Sequence, residues 1–161
     1  MDKLKTNAMR ALDKAGLKYN THEYQASDGQ IDGVSVAEKM GIPVEYVYKT
    51  LVTQGHSRNY YVFVIPVACE LDLKAAARSV GEKSVEMIKV ADINKITGYI
   101  RGGCSPIGMK KNYTTVIDSS CTALDKIIFS AGKIGHQIEM NPMDLVALLN
   151  CKTEAIAIAQ N

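Results

Sequence analysis

The spacing of apolar and polar residues predicts the first three elements of the chain. Apolar residues recur at helical spacing from Leu4 to Ala15, and Gly16 ends that helix. Residues 19–25 then alternate between polar and apolar side chains, as a half-buried strand does. Residues 26–33 are polar and contain glycine, which indicates a loop.

A capping pattern predicts where the second helix begins. Ser35 and Glu38 are three positions apart, so each side chain can bond the backbone N–H of the other. Gly41 and Pro43 then close the helix, because neither residue continues a helix well. We therefore expect a short helix that starts at Ser35.

The middle of the chain predicts a β-hairpin followed by two helices. Residues 47–54 and 59–68 are rich in β-branched and aromatic side chains, and the polar turn 55–58 separates them. A helix is expected over residues 72–81, where Asp72 can serve as the cap. A shorter helix is expected near residues 91–96.

The last third combines a glycine-rich loop with strands and a final helix. Residues 97–108 contain four glycines and a proline, which excludes an ordinary helix. Asn141 and Pro142 then form a strong helix start. Strand-like runs lie between them at 114–118, 126–130 and 136–140. The sequence predicts an α+β fold in one domain, residues 1–161, with a mixed, barrel-like sheet flanked by short helices.

Composition and charge narrow the possible functions. The 161 residues suffice to bury a core without metal or disulfide staples. The net charge of +2 argues against a protein that coats long duplexes, but it permits contact with one end of an RNA. The four cysteines are dispersed, which indicates reduced thiols in the cytoplasm. No run of 18 apolar residues exists, so no membrane span or membrane partner is expected.

Lys49 is the first candidate for chemistry. It lies in an otherwise apolar predicted strand, on the face that Val47 and Leu51 share. A charge on the inner face of a sheet costs free energy unless it is paired or reaches a cleft. The alternative is a lysine at a sheet edge whose ammonium group extends to water.

The glycine-rich loop at residues 102–108 is the second candidate. Glycines let several backbone N–H groups converge on a phosphate or a developing oxyanion, although a tight turn between sheet elements fits the same pattern. The turn at residues 130–135 has small residues too, and a simple hairpin loop explains it. Cys104 could act as a nucleophile only if a nearby cation lowered its pKa; otherwise it is a packing residue.

The remaining residues supply no familiar catalytic or metal-binding pattern. The three histidines have no metal-ligand spacing, and Ser105 lacks the nucleophile-elbow sequence. No nucleotide-binding fingerprint is present. We therefore expect no metal and no cofactor.

Four segments in this order resemble one known family, the YbaK/EbsC Cys-tRNA(Pro) deacylases. The segments are residues 47–51, 97–99, 102–108 and 130–133. The family belongs to the superfamily of editing domains inserted in bacterial prolyl-tRNA synthetases, and the resemblance extends from about residue 4 to residue 157. Each motif alone is modest, whereas the ordered set is specific.

The resemblance implies an aminoacyl-tRNA deacylase that works without a cofactor. Prolyl-tRNA synthetase mischarges its tRNA with cysteine, because a pocket discriminates poorly between amino acids of similar size. The family's functional positions fall here on Lys49, Gly102 and Gly103 as catalytic residues. The implied substrate-binding positions are Tyr24, Thr50, Cys104, Ser105, Pro106, Ser130, Ala131 and Gly132.

The resemblance also implies partners and a location. The aminoacylated 3′ end of tRNA is the expected partner, with prolyl-tRNA synthetase as a second one, in the cytoplasm and without DNA or membrane. A monomer or a weak homodimer is expected. Two positions depart from the family pattern: Gln137 stands where a family member has an acid, and Asp32 where it has an aromatic residue.

The hypothesis for the mechanism needs no protein nucleophile. The substrate's own cysteine thiol attacks its ester, Lys49 holds the terminal phosphate or ribose, and backbone N–H groups of residues 102–108 steady the carbonyl oxygen. Three alternatives remain open. These are a deacylase for other small aminoacyl groups such as Ala-tRNA(Pro), a non-catalytic module that binds tRNA or synthetase, and a Schiff-base enzyme using Lys49.

Overall fold

The computed structural model describes residues 5–30 and 32–159. The helices in this part are α1 (Asn7–Ala15), α2 (Gly33–Met40), α3 (Leu73–Ser79), α4 (Ile93–Thr97) and α5 (Pro142–Leu149). The strands are β1 (Asn20–Glu23), β2 (Tyr48–Gly55), β3 (Tyr60–Pro66), β4 (Cys69–Leu71), β5 (Val85–Met87), β6 (Thr114–Asp118), β7 (Ile127–Ser130), β8 (His136–Met140), β9 (Lys152–Glu154) and β10 (Ala157–Ala159). Short 3₁₀ turns lie at Val44–Tyr46, Val90–Asp92 and Ser119–Ala123.

Local capping chemistry explains most helix ends. Thr6 caps α1 by accepting a hydrogen bond from the Met9 N–H, and Gly16 ends it in the left-handed conformation, φ 71°. Asp72 and Asn141 cap α3 and α5 in the same way as Thr6 caps α1. The predicted helices at these places are confirmed, although Leu4, the first residue of the N-terminal prediction, lies outside the described residues.

The predicted start of α2 is wrong. Its N-cap is Asp32, whose carboxylate accepts hydrogen bonds from the Ser35 N–H, 3.1 Å, and from the Ser35 hydroxyl, 2.7 Å. Ser35 therefore lies inside the first turn and serves the cap instead of forming it. An aspartate caps about as well as a serine, so the N-cap lies three residues earlier, at Asp32, and the helix begins at Gly33.

A five-stranded mixed sheet forms the centre of the fold, in the order β5-β2-β3-β6-β9. The predicted hairpin is β2 and β3, which pair in antiparallel register from Tyr48 opposite Pro66 to Gln54 opposite Tyr60. The pairs β3–β6 and β6–β9 are parallel. The predicted strands and the mixed character of the sheet are confirmed.

Two smaller sheets complete the α+β architecture. Strands β1, β8 and β7 form an antiparallel sheet, and β10 pairs with β4. A parallel bridge between Val47 and Ile128 joins the start of β2 to β7. Within residues 5–30 and 32–159 the hydrogen bonding does not close into a barrel, so the barrel-like sheet of the prediction is three sheets that curve around shared cores.

Three apolar cores lie between these layers. The largest packs α1 and α5 against β7 and β8, the second packs α3 against β3 and β6, and the third joins α2 to Val47, Val67 and Ile128. Burial of this apolar surface is the main force that holds the layers together. No helix of the described chain is long and apolar enough to cross a membrane.

Candidate active site

A cleft of about 920 Å³ opens beside the first half of β2. Strand β5 pairs with β2 only over residues 53–55, which leaves residues 49–52 of β2 at the cleft. The other walls come from the β1–α2 segment, the loop after α4 and the end of β7. The cleft is large enough for a small ligand or the end of a larger one.

Lys49 is a half-buried cation in this cleft. It pairs with Ile65 of β3, and its Nζ donates one long hydrogen bond, 3.4 Å, to the Val67 carbonyl oxygen. No ion pair of Lys49 exists among the described residues. Burial lowers the pKa of Lys49, while the nearby Cys69 and Glu70 act in the opposite direction. An ammonium group so weakly satisfied is ready to bind an anionic or polar ligand.

Two side-chain hydroxyls in the same cleft lack a partner. The Thr50 Oγ1 and the Tyr24 Oη are buried and form no hydrogen bond within the described part of the chain. A buried hydroxyl without a hydrogen bond costs about 1–3 kcal/mol, so such groups are rare and call for an explanation. Both residues line the cleft, so a bound ligand is the natural partner of each hydroxyl.

Lys39 holds the segment that carries one wall. Its Nζ donates hydrogen bonds to the carbonyl oxygens of Gln25 and Gln30, at 2.6 and 2.9 Å, and to the Asp28 carboxylate, 2.7 Å. The same ammonium group lies 5.8 Å from the centre of the Tyr24 ring. One cation on α2 therefore fixes the loop after β1 and the ring of Tyr24 together.

The glycine-rich loop lies across the cleft from β2. Gly102 and Cys104 line it, and within residues 5–30 and 32–159 their N–H groups donate no hydrogen bond to the protein. The Gly103 N–H differs, because it donates to the Ile100 carbonyl oxygen at 3.0 Å. The two uncommitted N–H groups can donate to an oxygen of a ligand, as in an oxyanion hole.

Close packing against the β7–β8 turn fixes the shape of this loop. A Cβ at Gly103 would lie 3.2 Å from the backbone nitrogen of Ile134. A Cβ at Gly132, which has φ 99°, would lie 2.7 Å from the Tyr99 ring. The Tyr99 hydroxyl in turn donates to the Ile107 carbonyl oxygen, 2.5 Å. The glycines at positions 103 and 132 therefore allow the glycine-rich loop and the β7–β8 turn to pack closely against each other.

Cys104 is unsuited to act as a nucleophile. Burial raises the pKa of its thiol to about 11, so the thiol is protonated at neutral pH. Among residues 5–30 and 32–159 no cation acts on the pKa of this thiol, so the condition for a nucleophilic Cys104 is not met there.

The structure brings six of the predicted site residues together. Those that line the cleft are Tyr24, Lys49, Thr50, Gly102, Cys104 and Ser130. The other five stand behind it: Gly103, Ser105, Pro106, Ala131 and Gly132. Ser105, Pro106 and Ala131 are buried, and the Ser105 hydroxyl accepts a hydrogen bond from the Ile107 N–H, 3.3 Å.

The cleft also contains residues that the sequence reasoning missed or left open. Arg101, an exposed cation at the rim, received no role from the sequence although it directly precedes the glycine pair. Gln137 is buried in the cleft wall, opposite Ser130 in the β7–β8 pairing. Asp32 lines the cleft too, but its carboxylate is occupied as the N-cap of α2.

The described part of the chain holds no group of three or more His, Cys, Asp and Glu side chains that could bind a metal. The polar groups that line this cleft are, besides backbone N–H groups, the side chains of Lys49, Arg101, Asp32, Gln137, Cys104, Tyr24, Tyr48, Thr50 and Ser130.

Comparison with known proteins gives a family match and a sequence relative for this chain. Residues 32–148 match the family described as the aminoacyl-tRNA editing domain. A protein of Enterococcus faecalis (strain ATCC 700802 / V583), a candidate Cys-tRNA(Pro)/Cys-tRNA(Cys) deacylase named EbsC, is 45% identical over 146 residues. That alignment covers 91% of this chain and 89% of the relative.

Solved structures share the fold. A hypothetical protein, APE2540, superposes with a TM-score of 0.87 at 20% identity, over 95% of this chain and 100% of the other. A candidate trans-editing enzyme for prolyl-tRNA synthetase superposes with a TM-score of 0.81 at 23% identity, over 99% and 100%. At these identities the likeness establishes the fold alone.

Proposed function

Because this chain belongs to the family of aminoacyl-tRNA editing domains, we propose that it deacylates mischarged Cys-tRNA(Pro) in trans, and Cys-tRNA(Cys) as well. The 45% identity to a candidate deacylase of these two substrates supports the choice of amino acid. The observation that carries the proposal is the cleft itself, where a weakly bonded ammonium group and two unpartnered hydroxyls face one space.

In this proposal Lys49 binds the tRNA end. Its ammonium group donates to the terminal phosphate or to the ribose oxygens beside the ester. A half-buried cation is well suited to this task, because lower solvent screening strengthens the attraction to a phosphate. The Thr50 and Tyr24 hydroxyls bind polar groups of the aminoacyl moiety and gain the partners they lack.

The backbone of the glycine-rich loop stabilises the reacting carbonyl. The N–H groups of Gly102 and Cys104 donate to its oxygen as negative charge develops there. Loss of one such donor typically costs about 2.7–4 kcal/mol. Gly103 supports this geometry from behind, through its bond to Ile100 and its packing against Ile134.

The substrate thiol supplies the nucleophile. Its sulfur forms a bond to the ester carbonyl carbon, the carbon–oxygen bond to the ribose breaks, and the thiol proton ends on the released ribose hydroxyl. The cysteine leaves as a cyclic thioester, and the tRNA leaves with a free 3′ end. Because the thiol and the carbonyl belong to one molecule, the step needs no second reactant, and the cleft has only to hold the thiol in the orientation for attack. The protonated state of Cys104 fits this scheme, because Cys104 then offers no competing thiolate.

A panel of mischarged tRNAs tests the proposal. Cys-tRNA(Pro) and Cys-tRNA(Cys) should be deacylated much faster than Ala-tRNA(Pro) and Ser-tRNA(Pro), each measured with and without prolyl-tRNA synthetase. Equal rates for the Cys and Ala substrates would replace thiol attack by a bound water and broaden the specificity. Binding of charged tRNA without any deacylation would make the protein a non-catalytic module. Trapping of Lys49 by borohydride with a carbonyl substrate would instead indicate a Schiff base.

A further inference from the structure

One stretch of the chain concentrates positive charge. Residues 93–117 contain Lys95, Arg101, Lys110 and Lys111 but no Asp or Glu. This leaves 15 of the 19 Lys and Arg residues against all 17 Asp and Glu residues in the rest of the chain. The mild net charge of the whole protein therefore hides a local excess, and the local field decides which ligand a surface attracts.

The fold collects these cations around the glycine-rich loop. Lys110 donates from its N–H to the Thr97 carbonyl oxygen, 3.0 Å, and from its Nζ to the Lys95 carbonyl oxygen, 3.2 Å. Lys133, from the β7–β8 turn, joins them because its backbone packs against Gly103. A Cβ added at Gly103 would lie 3.4 Å from the Lys133 Cα. We call these five residues the basic strip: Lys95, Arg101, Lys110, Lys111 and Lys133.

The strip is exposed and nearly unpaired, and one of its members lies at the cleft. All five side chains belong to exposed residues. Among the described residues their one ion pair is that of Lys95 with Asp92, 3.2 Å, in which the lysine side chain remains 71% exposed. Arg101 lines the cleft, so one end of the strip lies at the site where the aminoacyl ester is held.

We propose that the basic strip binds the backbone phosphates of the tRNA acceptor end, next to the acylated nucleotide that enters the cleft. The proposal rests on the proposed function, because it takes the cleft as the place of that nucleotide. Exposed lysines and arginines bind phosphates with little regard to base identity. The strip would hold the RNA in register and leave the choice of amino acid to the cleft.

A triple variant tests the strip without touching the cleft. Lys110→Gln, Lys111→Gln and Lys133→Gln remove three cations, while Arg101 and Lys49 remain. The matched control removes three exposed cations that lie elsewhere and do not line the cleft: Lys74→Gln, Lys83→Gln and Lys152→Gln. Both proteins lose the same net charge, so a difference between them reports position and not total charge.

The readouts are binding of uncharged tRNA at a series of KCl concentrations and steady-state deacylation. Each lost phosphate contact should reduce the magnitude of the slope of log binding constant against log KCl concentration by about 1. The slope of the strip variant should therefore be smaller by about 2–3. Its KM for Cys-tRNA(Pro) should rise at unchanged kcat, whereas the control should match the parent protein. Identical salt slopes and KM values in the two triple variants would overturn the proposal.

Two further experiments identify which part of the RNA the strip contacts and distinguish failure of this proposal from failure of the proposed function. A hairpin RNA with a paired acceptor stem and a short single-stranded RNA with the same 3′ end are compared. A larger loss for the hairpin assigns the strip to the paired stem, and an equal loss assigns it to the unpaired nucleotides. Absence of deacylation in the parent protein, with the RNA-binding difference intact, contradicts the proposed function but not the strip. Normal RNA binding with lost stimulation by the synthetase would assign the strip to that protein instead, and would refute our proposal.

Discussion

Replacement of Lys49 by Met should reduce activity and stabilise the fold at the same time. Methionine keeps an unbranched side chain that is one atom shorter, and it removes the charge together with the hydrogen bond to the Val67 carbonyl oxygen. Burial lowers the pKa of Lys49, so the folded protein holds the protonated lysine less favourably than the unfolded chain does. The unpaired ammonium group therefore costs stability, and Met can fill the same apolar surroundings of Ile65 and Val67.

The two effects have different magnitudes. Loss of a charged hydrogen bond to a buried partner costs about 2–5 kcal/mol in binding, which corresponds to a fall in kcat/KM of about 30-fold to several thousand-fold. Removal of one unfavourable charge typically stabilises a protein by about 0.5–2 kcal/mol. For a protein of this length each kcal/mol raises Tm by about 2–4 °C.

The stability gain should depend on pH with a defined sign. The folded pKa of Lys49 lies below its unfolded value of 10.5, so between the two values the unfolded chain binds more protons and stability rises with pH. The cost of the protonated lysine is complete below the folded pKa and vanishes above 10.5. The advantage of Lys49→Met should therefore be constant near neutral pH and shrink as the pH approaches 10.5.

Thermal unfolding and deacylation of Cys-tRNA(Pro) measure the two effects on one preparation. The control is Lys83→Met, which removes an exposed lysine near the hairpin turn and should change neither quantity. A variant of Lys49 with activity within about threefold of the parent would remove the ammonium group from the mechanism, since about threefold is only 0.65 kcal/mol. A lower Tm would refute the reasoning on burial, and the loss of activity could then reflect unfolding.

Three further changes test other parts of the site. Cys104→Ala should leave kcat/KM of Cys-tRNA(Pro) deacylation unchanged between pH 6 and 8, because a thiol with a pKa of about 11 stays protonated there; a large loss would mean that a protein thiol reacts. Thr50→Val should raise the unfolding free energy slightly and lower kcat/KM by about 2–10-fold, as expected for one neutral hydrogen bond of about 0.5–1.5 kcal/mol; unchanged kinetics would mean that no ligand uses this hydroxyl. Gly132→Ala should lower the unfolding free energy by about 1–3 kcal/mol, because its Cβ would overlap the Tyr99 ring, and urea denaturation measures this; a neutral result would show that the turn can yield.

Local chemistry made most of the elements predictable from sequence. The caps at Gly16, Asp72 and Asn141 act within a few residues, so a short window of sequence contains all the interacting groups. The hairpin of β2 and β3 was predictable for the same reason, since its turn and both strands are adjacent in sequence.

The unpredicted elements depend on distant partners. Strands β4, β5, β9 and β10 have three residues each, and their pairing partners lie far away, as where β9 joins β6 in parallel register. Three residues contain too little alternation to indicate a strand, so tertiary pairing alone defines them. Arg101 was missed in a similar way, because only the folded loop shows that it stands at the rim of the cleft.

The sequence predicted which segments form the site, but it did not predict the role of each residue in them. The resemblance pointed to Lys49 and to residues 102–108, and the fold brings both to one cleft. It could not tell which members of the loop face the ligand and which support it, because that depends on packing between Gly103 and the turn at Ile134. A sequence motif thus indicates which segments form a site, and tertiary packing decides which of their residues line the cleft.

The proposed mechanism has no protein nucleophile, so it depends on positioning of the substrate, and the polar groups of this cleft are arranged in a way that suits it. Lys49 with its single long bond and the unpartnered hydroxyls of Thr50 and Tyr24 are all unfavourable in the absence of ligand. Natural proteins lose such groups easily by mutation unless function retains them, because their removal stabilises the fold. Lys39 meanwhile holds the Tyr24 wall through three hydrogen bonds, so the unsatisfied groups cannot relax by moving away. A rigid wall around unsatisfied polar groups favours a ligand that satisfies them all at once, and in the proposed mechanism it would keep the substrate thiol oriented towards its ester.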